Sequence, residues 1–171
     1  MKHIIITILL GFNLFASLLE INSFKADFIQ KITDDKNKVL TYEGSVIATN
    51  TKNALWSYNS PVQKLVYLNL DRVTIVEPEI EQVIIRYIKS NFNFFDMIKD
   101  AKKITEDKYI TKFNDVDFTI ITQNQKIKSI GYIDEFENKV NISFKNQEQN
   151  IIINENDFLP RYDVNFDVIR D

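Results

Sequence analysis

Apolar and polar residues alternate with a period of two along most of the chain, and this pattern constrains the fold most strongly. The segment from Ser23 to Asp34 shows it clearly. Its even positions, which are mostly apolar, carry Phe24, Ala26, Phe28, Gln30 and Ile32. Its odd positions are mostly polar and carry Lys25, Asp27, Ile29, Lys31 and Thr33. Because successive side chains of a β-strand point to opposite faces, this segment is predicted to be a strand with one apolar and one solvated face.

The same alternation recurs through most of the rest of the chain. It runs over residues 40–48, 54–58, 116–120, 127–133, 140–144 and 164–168. Short, mostly apolar runs at 65–70, 73–76 and 83–88 are also predicted to be strands. Short polar turns separate most of these segments, and short connections are typical of strands that pair antiparallel. The pattern predicts an antiparallel meander of about eleven strands.

One segment breaks this period. Between residues 91 and 101 apolar side chains recur three or four positions apart with polar ones opposite, which indicates an amphipathic helix. The apolar side chains are Phe92, Phe94, Phe95, Met97, Ile98 and Ala101. A very short second helix is predicted at 154–158, and Leu18, Leu19 and Ile21 suggest a third.

The predicted fold is therefore mainly β with few helices (α+β). It is a single strongly curved antiparallel sheet that forms an incomplete barrel, covered by two or three short helices. A curved sheet under such a small helical lid can enclose an apolar hollow instead of a filled core. The aromatic and methionine side chains of 91–101 suit a hollow that holds a variable apolar guest. The alternative is that they are ordinary core residues.

The first residues have the pattern of an export signal. Lys2 and His3 precede an apolar run over 4–15, which is about the length of a signal-peptide core and too short to span a bilayer. We predict a cleavable signal peptide over residues 1–17 and a single domain over 18–171. The alternative is a buried N-terminal helix.

The composition excludes several classes of function. The chain has no cysteine and one histidine, His3, which excludes disulfides, an acyl anchor on cysteine, Cys- and His-based catalytic triads and the usual zinc sites. Glu77, Glu79 and Glu81 cluster around Pro78 and leave carboxylate chemistry open, although a solvated charged turn explains them better. We expect no enzymatic activity, no metal and no cofactor. The net charge of −3 without a basic block argues against nucleic-acid binding.

Several sequence marks occur together in a defined order. They are Ser-Phe-Lys-Ala-Asp-Phe-Ile-Gln-Lys from Ser23 to Lys31, then Gly44, Trp56 and Pro61, then Pro78 before Glu81-Gln82-Val83, the phenylalanine-rich segment 92–98, Phe158, and Asn165-Phe-Asp-Val168. In order and spacing these marks resemble the LolA family. Its members are soluble periplasmic carriers that move lipoproteins from the inner to the outer membrane.

The resemblance implies a monomeric periplasmic carrier that encloses the acyl chains of lipoproteins in an apolar cavity without chemistry on them. The residues implied to line this cavity are Phe28, Val46, Trp56, Tyr58, Phe92, Phe94, Phe95, Met97 and Ile98. The implied partners are outer-membrane lipoproteins as cargo, an ABC-type transporter of the inner membrane that loads them, and an acceptor in the outer membrane where one exists.

The sequence also departs from the family pattern. An Arg-Pro pair, whose arginine is thought to hold the helical lid closed, is replaced here by Asn50-Thr51. Asn50 is the candidate for this latch, but an amide lacks the charge and the five-donor fork of a guanidinium. This departure predicts that the chain belongs to a divergent branch of the family. A carrier of another lipid or glycolipid with the same half-barrel cavity, and a purely structural periplasmic protein, are the alternatives.

Overall fold

The computed structural model describes residues 21–51, 53–88 and 94–170. The predicted signal peptide over 1–17 and Phe92 of the predicted cavity lie outside the described residues. The described part forms one sheet of twelve strands. The strands are β1 (Ser23–Thr33), β2 (Val39–Thr49), β3 (Asn53–Ser60), β4 (Lys64–Asn69), β5 (Arg72–Glu77), β6 (Gln82–Tyr87), β7 (Lys102–Lys103), β8 (Lys108–Phe113), β9 (Val116–Gln123), β10 (Lys126–Ile133), β11 (Lys139–Gln149) and β12 (Asp167–Arg170).

The order of strands in the sheet is β12-β6-β5-β4-β3-β2-β1-β11-β10-β9-β8-β7. Two antiparallel meanders, β1 to β6 and β7 to β11, are joined where β1 pairs antiparallel with β11. The prediction of one large antiparallel sheet with few helices is confirmed, with twelve described strands in place of about eleven. One edge of the sheet departs from the predicted antiparallel pairing, because β12 pairs parallel with β6.

The first strand shows why the alternation predicts the sheet correctly. Phe24, Ala26 and Phe28 are buried on its inner face, whereas Lys25 and Asp27 on the other face are exposed. The sheet must curve strongly, because Leu68 of β4 and Phe118 of β9 line one cavity although five strands lie between theirs. The result is the incomplete barrel expected from the sequence.

Helix α1 (Phe94–Lys99) lies within the predicted segment 91–101 and packs on the inner face. Phe95, Met97 and Ile98 are buried, whereas Asp96 and Lys99 are exposed, as the helical period predicts. The helix ends at Lys99, and the backbone N–H of Asp100 still donates to the carbonyl of Asp96 at 3.0 Å. None of the described helices is long and apolar enough to cross a membrane.

Two 3-10 helices complete the described structure, at Pro78–Ile80 and at Glu155–Phe158. The second lies where a short helix was predicted, and the side chain of Asn154 caps it by accepting from the backbone N–H of Asn156. The predicted strand over 164–168 is displaced, because Asp163 accepts the backbone N–H of Asn165 at 2.9 Å and forms a turn there. Strand β12 therefore begins only at Asp167.

Apolar side chains pack on both faces of the sheet. The main core lies between the inner face and α1 and includes Phe24, Phe28 and Ile120. A smaller cluster around Tyr67, Val76 and Val83 lies on the outer face of β4 to β6, where Phe166 and Val168 pack against it. The C-terminal segment therefore covers the outer face of β4 to β6, whereas α1 packs on the inner face.

Candidate ligand-binding cavity

A cavity of about 470 Å³ lies between the inner face of the sheet and α1. Its wall is mostly apolar and carries aromatic side chains from the sheet and the helix. Its volume falls within the range of pockets that hold small organic ligands, about 300–1,000 Å³. The sheet therefore does not enclose a completely filled core.

The structure brings most of the predicted cavity residues together around this space. The predicted residues that line it are Val46, Trp56, Tyr58, Phe94, Phe95 and Met97. Phe28 and Ile98 do not line the cavity, and each is only 2 % exposed within the core. The ring of Phe28 packs edge-on against Trp56 and Tyr58, with centroids 5.1 Å apart in both pairs, and so supports the wall from behind.

Gly44 is the reason that Phe28 can pack so deeply. A Cβ atom at Gly44 would overlap the carbonyl oxygen of Ser57 and would lie 2.9 Å from Cζ of Phe28. The phenylalanine ring therefore occupies space beside a glycine of the neighbouring strand. This packing separates Phe28 from the cavity and fixes the position of Trp56 in the wall.

Sequence reasoning missed much of the wall. The further apolar lining residues include Phe24, Ala48, Ala54, Val66, Leu68, Val116, Phe118, Ile130, Ile142 and Phe144. Most of them share the inner-face alternation of their strands, so the period of two was the signal that could have found them. The period alone does not separate the residues that face a cavity from those that fill the core.

Aromatic rings connect the helix to the sheet at one end of the cavity. The ring of Phe24 lies 5.6 Å from that of Phe94 and 5.3 Å from that of Phe144. The rings of Trp56 and Phe144 are 6.5 Å apart. These tilted and edge-on arrangements are the favourable ones for aromatic pairs. Thr49 and Asn53 also line the cavity at this end, beside the start of β1.

The opposite end of the cavity is more polar. Gln30, Tyr58 and Tyr132 line it, and the hydroxyl of Tyr58 donates to Oε1 of Gln30 at 3.1 Å. Burial, followed by the neighbouring phenols of Tyr132 and Tyr42, raises the pKa of Tyr58 from 10.0 to about 12. Burial, followed by the carboxylate of Asp134, also raises the pKa of Tyr132. Both hydroxyls are therefore protonated at neutral pH.

A lysine lies beside this polar end. The ammonium of Lys64 is 4.8 Å from the ring centroid of Tyr58 and 5.7 Å from that of Tyr42. Such cation–π contacts hold the ammonium over the aromatic faces. Lys64 is not among the residues that line the cavity, and the described lining residues include no charged side chain.

The latch candidate Asn50 lies outside the cavity, in the turn after β2. Its amide nitrogen donates to Oδ1 of Asn22 at 2.8 Å, and its backbone N–H donates to the carbonyl of Asn22 at 2.9 Å. It borders a polar groove beside α1, together with Asp96 and Lys99 of the helix and Asn150. Asn50 is therefore close to the helix, while its described side-chain hydrogen bond joins it to the segment before β1.

The carboxylates that left carboxylate chemistry open in the sequence lie away from the cavity. The described residues contain no group of three or more His, Asp or Glu side chains that could hold a metal ion. Of the glutamates around Pro78, Glu79 and Glu81 are exposed, and Glu79 accepts the backbone N–H of Gln63 at 3.4 Å. These side chains lie at and beside the 3-10 helix Pro78–Ile80 and not in the cavity.

Comparison with known proteins agrees with this architecture. The family described as Outer membrane lipoprotein carrier protein LolA matches residues 20–95. The chain is 39 % identical to an outer-membrane lipoprotein carrier protein of Campylobacter jejuni, over 92 % of each chain. It is 28 % identical to the protein of the same name from Wolinella succinogenes, over 91 % of each.

A solved structure shares the fold at much lower identity. An uncharacterized conserved protein from Thermus thermophilus superposes with a TM-score of 0.56 at 10 % identity, over 91 % of this chain and 96 % of that one. This likeness concerns the fold alone, whereas the Campylobacter relative is similar in sequence over almost the whole chain. With its half-barrel sheet, its apolar cavity and this relative, the chain belongs to the LolA family of outer membrane lipoprotein carrier proteins.

Proposed function

We propose that this protein carries lipoproteins between membranes by enclosing their acyl chains in the cavity between α1 and the sheet. The observation that carries the proposal is the apolar, aromatic wall around about 470 Å³ of space. The names of the Campylobacter and Wolinella relatives support the class of cargo. The proposed contacts to the acyl chain include Val46, Trp56, Phe94, Phe95 and Met97.

A lipoprotein needs such a cavity because the exposure of its acyl chains to water costs a large free energy. An acyl chain of roughly 16 carbons costs about 13 kcal/mol to expose to water, at about 0.8 kcal/mol for each methylene group. A carrier must offset most of this cost and still release the chain. A preformed apolar cavity offsets it through the hydrophobic effect, which depends on area and does not require one chemical identity of the chain.

The volume of the cavity suggests how much cargo it holds in this conformation. A methylene group is about as large as a water molecule, ~30 Å³ in the condensed phase, so one chain of about 16 carbons has a volume of the same order as the cavity. A lipoprotein with two or three chains needs more space. We therefore propose that α1, which has six residues and lies over the inner face, moves away from the sheet during loading.

The proposal also includes the cellular compartment of the protein and its binding partners. A signal peptide over 1–17 would direct the chain to the periplasm, where it would act as a monomer. An ABC-type transporter of the inner membrane would load the cargo, and an outer-membrane acceptor would receive it. The carrier would leave the cargo chemically unchanged, since binding and release are sufficient for transport.

Native mass spectrometry of the protein purified from the periplasm tests this function. We expect acylated lipoproteins to co-purify with the wild-type protein and to be lost from Phe94→Glu, which places a charge in the cavity wall. Phe136→Glu is the matched control, because Phe136 is 75 % exposed in the turn after β10. A free lipid or glycolipid in the cavity would instead support the alternative cargo. A protein without any bound lipid, which also takes none from membranes, would contradict the proposal.

A further inference from the structure

Polar side chains line both ends of the cavity, but Thr49 and Asn53, near Phe24, already have hydrogen-bond partners within the protein. The first strand shows how far apart the two ends lie. Phe24 contacts Phe94 of the helix at the apolar end, and Gln30 lies at the polar end, six residues further along the inner face of β1. At about 3.3 Å for each residue of a strand, the two ends are ~20 Å apart. One leaflet of a bilayer contributes about 15 Å of hydrocarbon. An acyl chain that lies along β1 therefore covers most of the distance between the helix and the polar end.

The polar end offers hydrogen-bond donors that the protein does not use. The hydroxyl of Tyr58 donates to Oε1 of Gln30, which orients the amide of Gln30 and leaves its nitrogen with two N–H groups. Within the described part of the chain, neither this nitrogen nor the hydroxyl of Tyr132 donates a hydrogen bond to another residue. Both side chains line the cavity. A ligand at this end therefore meets neutral donors.

We propose that Gln30, Tyr58 and Tyr132 form a subsite for the ester carbonyls of a diacylglyceryl group. This inference rests on the proposed function and specifies how the cargo lies in the cavity. The acyl chains extend towards α1, and the glyceryl group, which joins them to the protein part of the cargo, lies at the polar end. The amide of Gln30 and the hydroxyl of Tyr132 donate to the ester carbonyls, while Tyr58 holds Gln30 in position.

The chemistry of the wall favours this neutral group over an anionic one. Ester carbonyls only accept hydrogen bonds, so they match the unused donors. A phosphate or a carboxylate would need a positive charge to offset its desolvation. The described lining residues include no charged side chain, and the ammonium of Lys64 lies over the faces of Tyr42 and Tyr58 outside the lining. A diacylglyceryl thioether therefore fits the polar end better than a phospholipid.

A pair of synthetic lipopeptides tests the subsite. Both carry two C16 chains on a glyceryl-cysteine peptide, one through ester bonds and one through ether bonds that lack the carbonyls. Binding to the purified protein is measured by fluorescence titration. We expect the wild type to bind the diester about threefold to tenfold more tightly than the diether, as one or two net hydrogen bonds would give. Tyr132→Phe and Gln30→Met should bind the diether as the wild type does and lose most of the preference.

The matched control is Tyr67→Phe, because this tyrosine lies in the cluster on the outer face of the sheet. It should keep the full preference for the diester. Equal binding of the two lipopeptides by the wild type, or a preference that persists in both Tyr132→Phe and Gln30→Met, would overturn the subsite and leave the proposed function intact. If the wild type bound neither lipopeptide, the proposed function itself would fail, and the subsite with it.

Discussion

The ring of Phe24 on β1 lies 5.6 Å from the ring of Phe94 on α1, and this contact joins the helix to the sheet at the apolar end of the cavity. The two side chains differ in how deeply they are buried. Phe24 is 1 % exposed and also contacts Phe144, whereas Phe94 is only partly buried. The contact therefore joins a fully buried side chain of the sheet to the least buried phenylalanine of the helix, while Phe95, Met97 and Ile98 hold the helix in the core.

This difference gives a prediction for stability. We expect Phe24→Ala to lower the free energy of unfolding by about 3–5 kcal/mol, as is usual for a fully buried phenylalanine. Phe94→Ala should lower it by less than about 2 kcal/mol, because part of this ring already faces the cavity. Urea unfolding monitored through Trp56 measures both values. Equal losses in the two variants would show that the helix is as firmly packed as the sheet.

The two described glycines of the sheet provide a matched pair. Gly44→Ala should destabilise the protein by about 1–3 kcal/mol, because the new methyl group would overlap the backbone of Ser57 and push against Phe28. Gly131→Ala should change stability by less than about 1 kcal/mol, since its nearest contacts would be 3.7 Å away. Thermal and urea unfolding compare the variants. The packing of Phe28 behind the wall would be contradicted if Gly44→Ala were as stable as the wild type.

The raised pKa of Tyr58 predicts a loss of stability in alkali. The unfolded chain releases the phenolic proton near pH 10 and the folded state near pH 12. Over this interval the folded state binds more protons, so the free energy of unfolding is at its full value below pH 10 and falls as the pH rises towards 12. The contribution of Tyr58 should be at most about 3 kcal/mol, since each pKa unit corresponds to about 1.4 kcal/mol. Urea unfolding across pH 9–12 should show a smaller loss for Tyr58→Phe. Parallel profiles for the two proteins would contradict the burial of Tyr58.

The position of Asn50 leads to a prediction about cargo release. An arginine at position 50 would place a guanidinium in the groove beside Asp96 of α1. An exposed ion pair of this kind contributes about 0.2–1 kcal/mol, so Asn50→Arg should slow the release of a bound lipopeptide about twofold to fivefold if the helix moves during release. Stopped-flow fluorescence measures the rate. Addition of Asp96→Asn should restore it, and an unchanged rate in Asn50→Arg would count against a latch at this position.

The sequence predicted the features that depend on local periodicity. The inner face of β1 and the buried side of α1 both follow from the spacing of apolar residues, because a strand or a helix that buries one face imposes its own repeat. The parallel pairing of β12 with β6 was not predicted. It joins residues more than 80 positions apart, and the turn at Asp163 that directs it depends on a side-chain hydrogen bond.

The cavity could be predicted only in part. Phe24 and Phe28 occupy equivalent positions in the alternation of β1, yet Phe24 lines the cavity and Phe28 does not. The difference arises from a neighbouring strand, where Gly44 leaves room for the ring of Phe28. The polar end escaped prediction for a similar reason, since Gln30, Tyr58 and Tyr132 come from three strands and meet only when the sheet curves.

The position of a bound acyl chain tests most directly whether the cavity holds the cargo. A diacylglyceryl lipopeptide with a photoreactive diazirine near the end of one chain would be bound, irradiated and mapped by mass spectrometry. We expect crosslinks to the apolar end of the cavity, at Phe24, Phe94 and Phe144, and their loss on competition with the unlabelled lipopeptide. Crosslinks confined to exposed apolar residues such as Ile80 or Phe136 would contradict this expectation, because the chain would then lie on the surface of the protein.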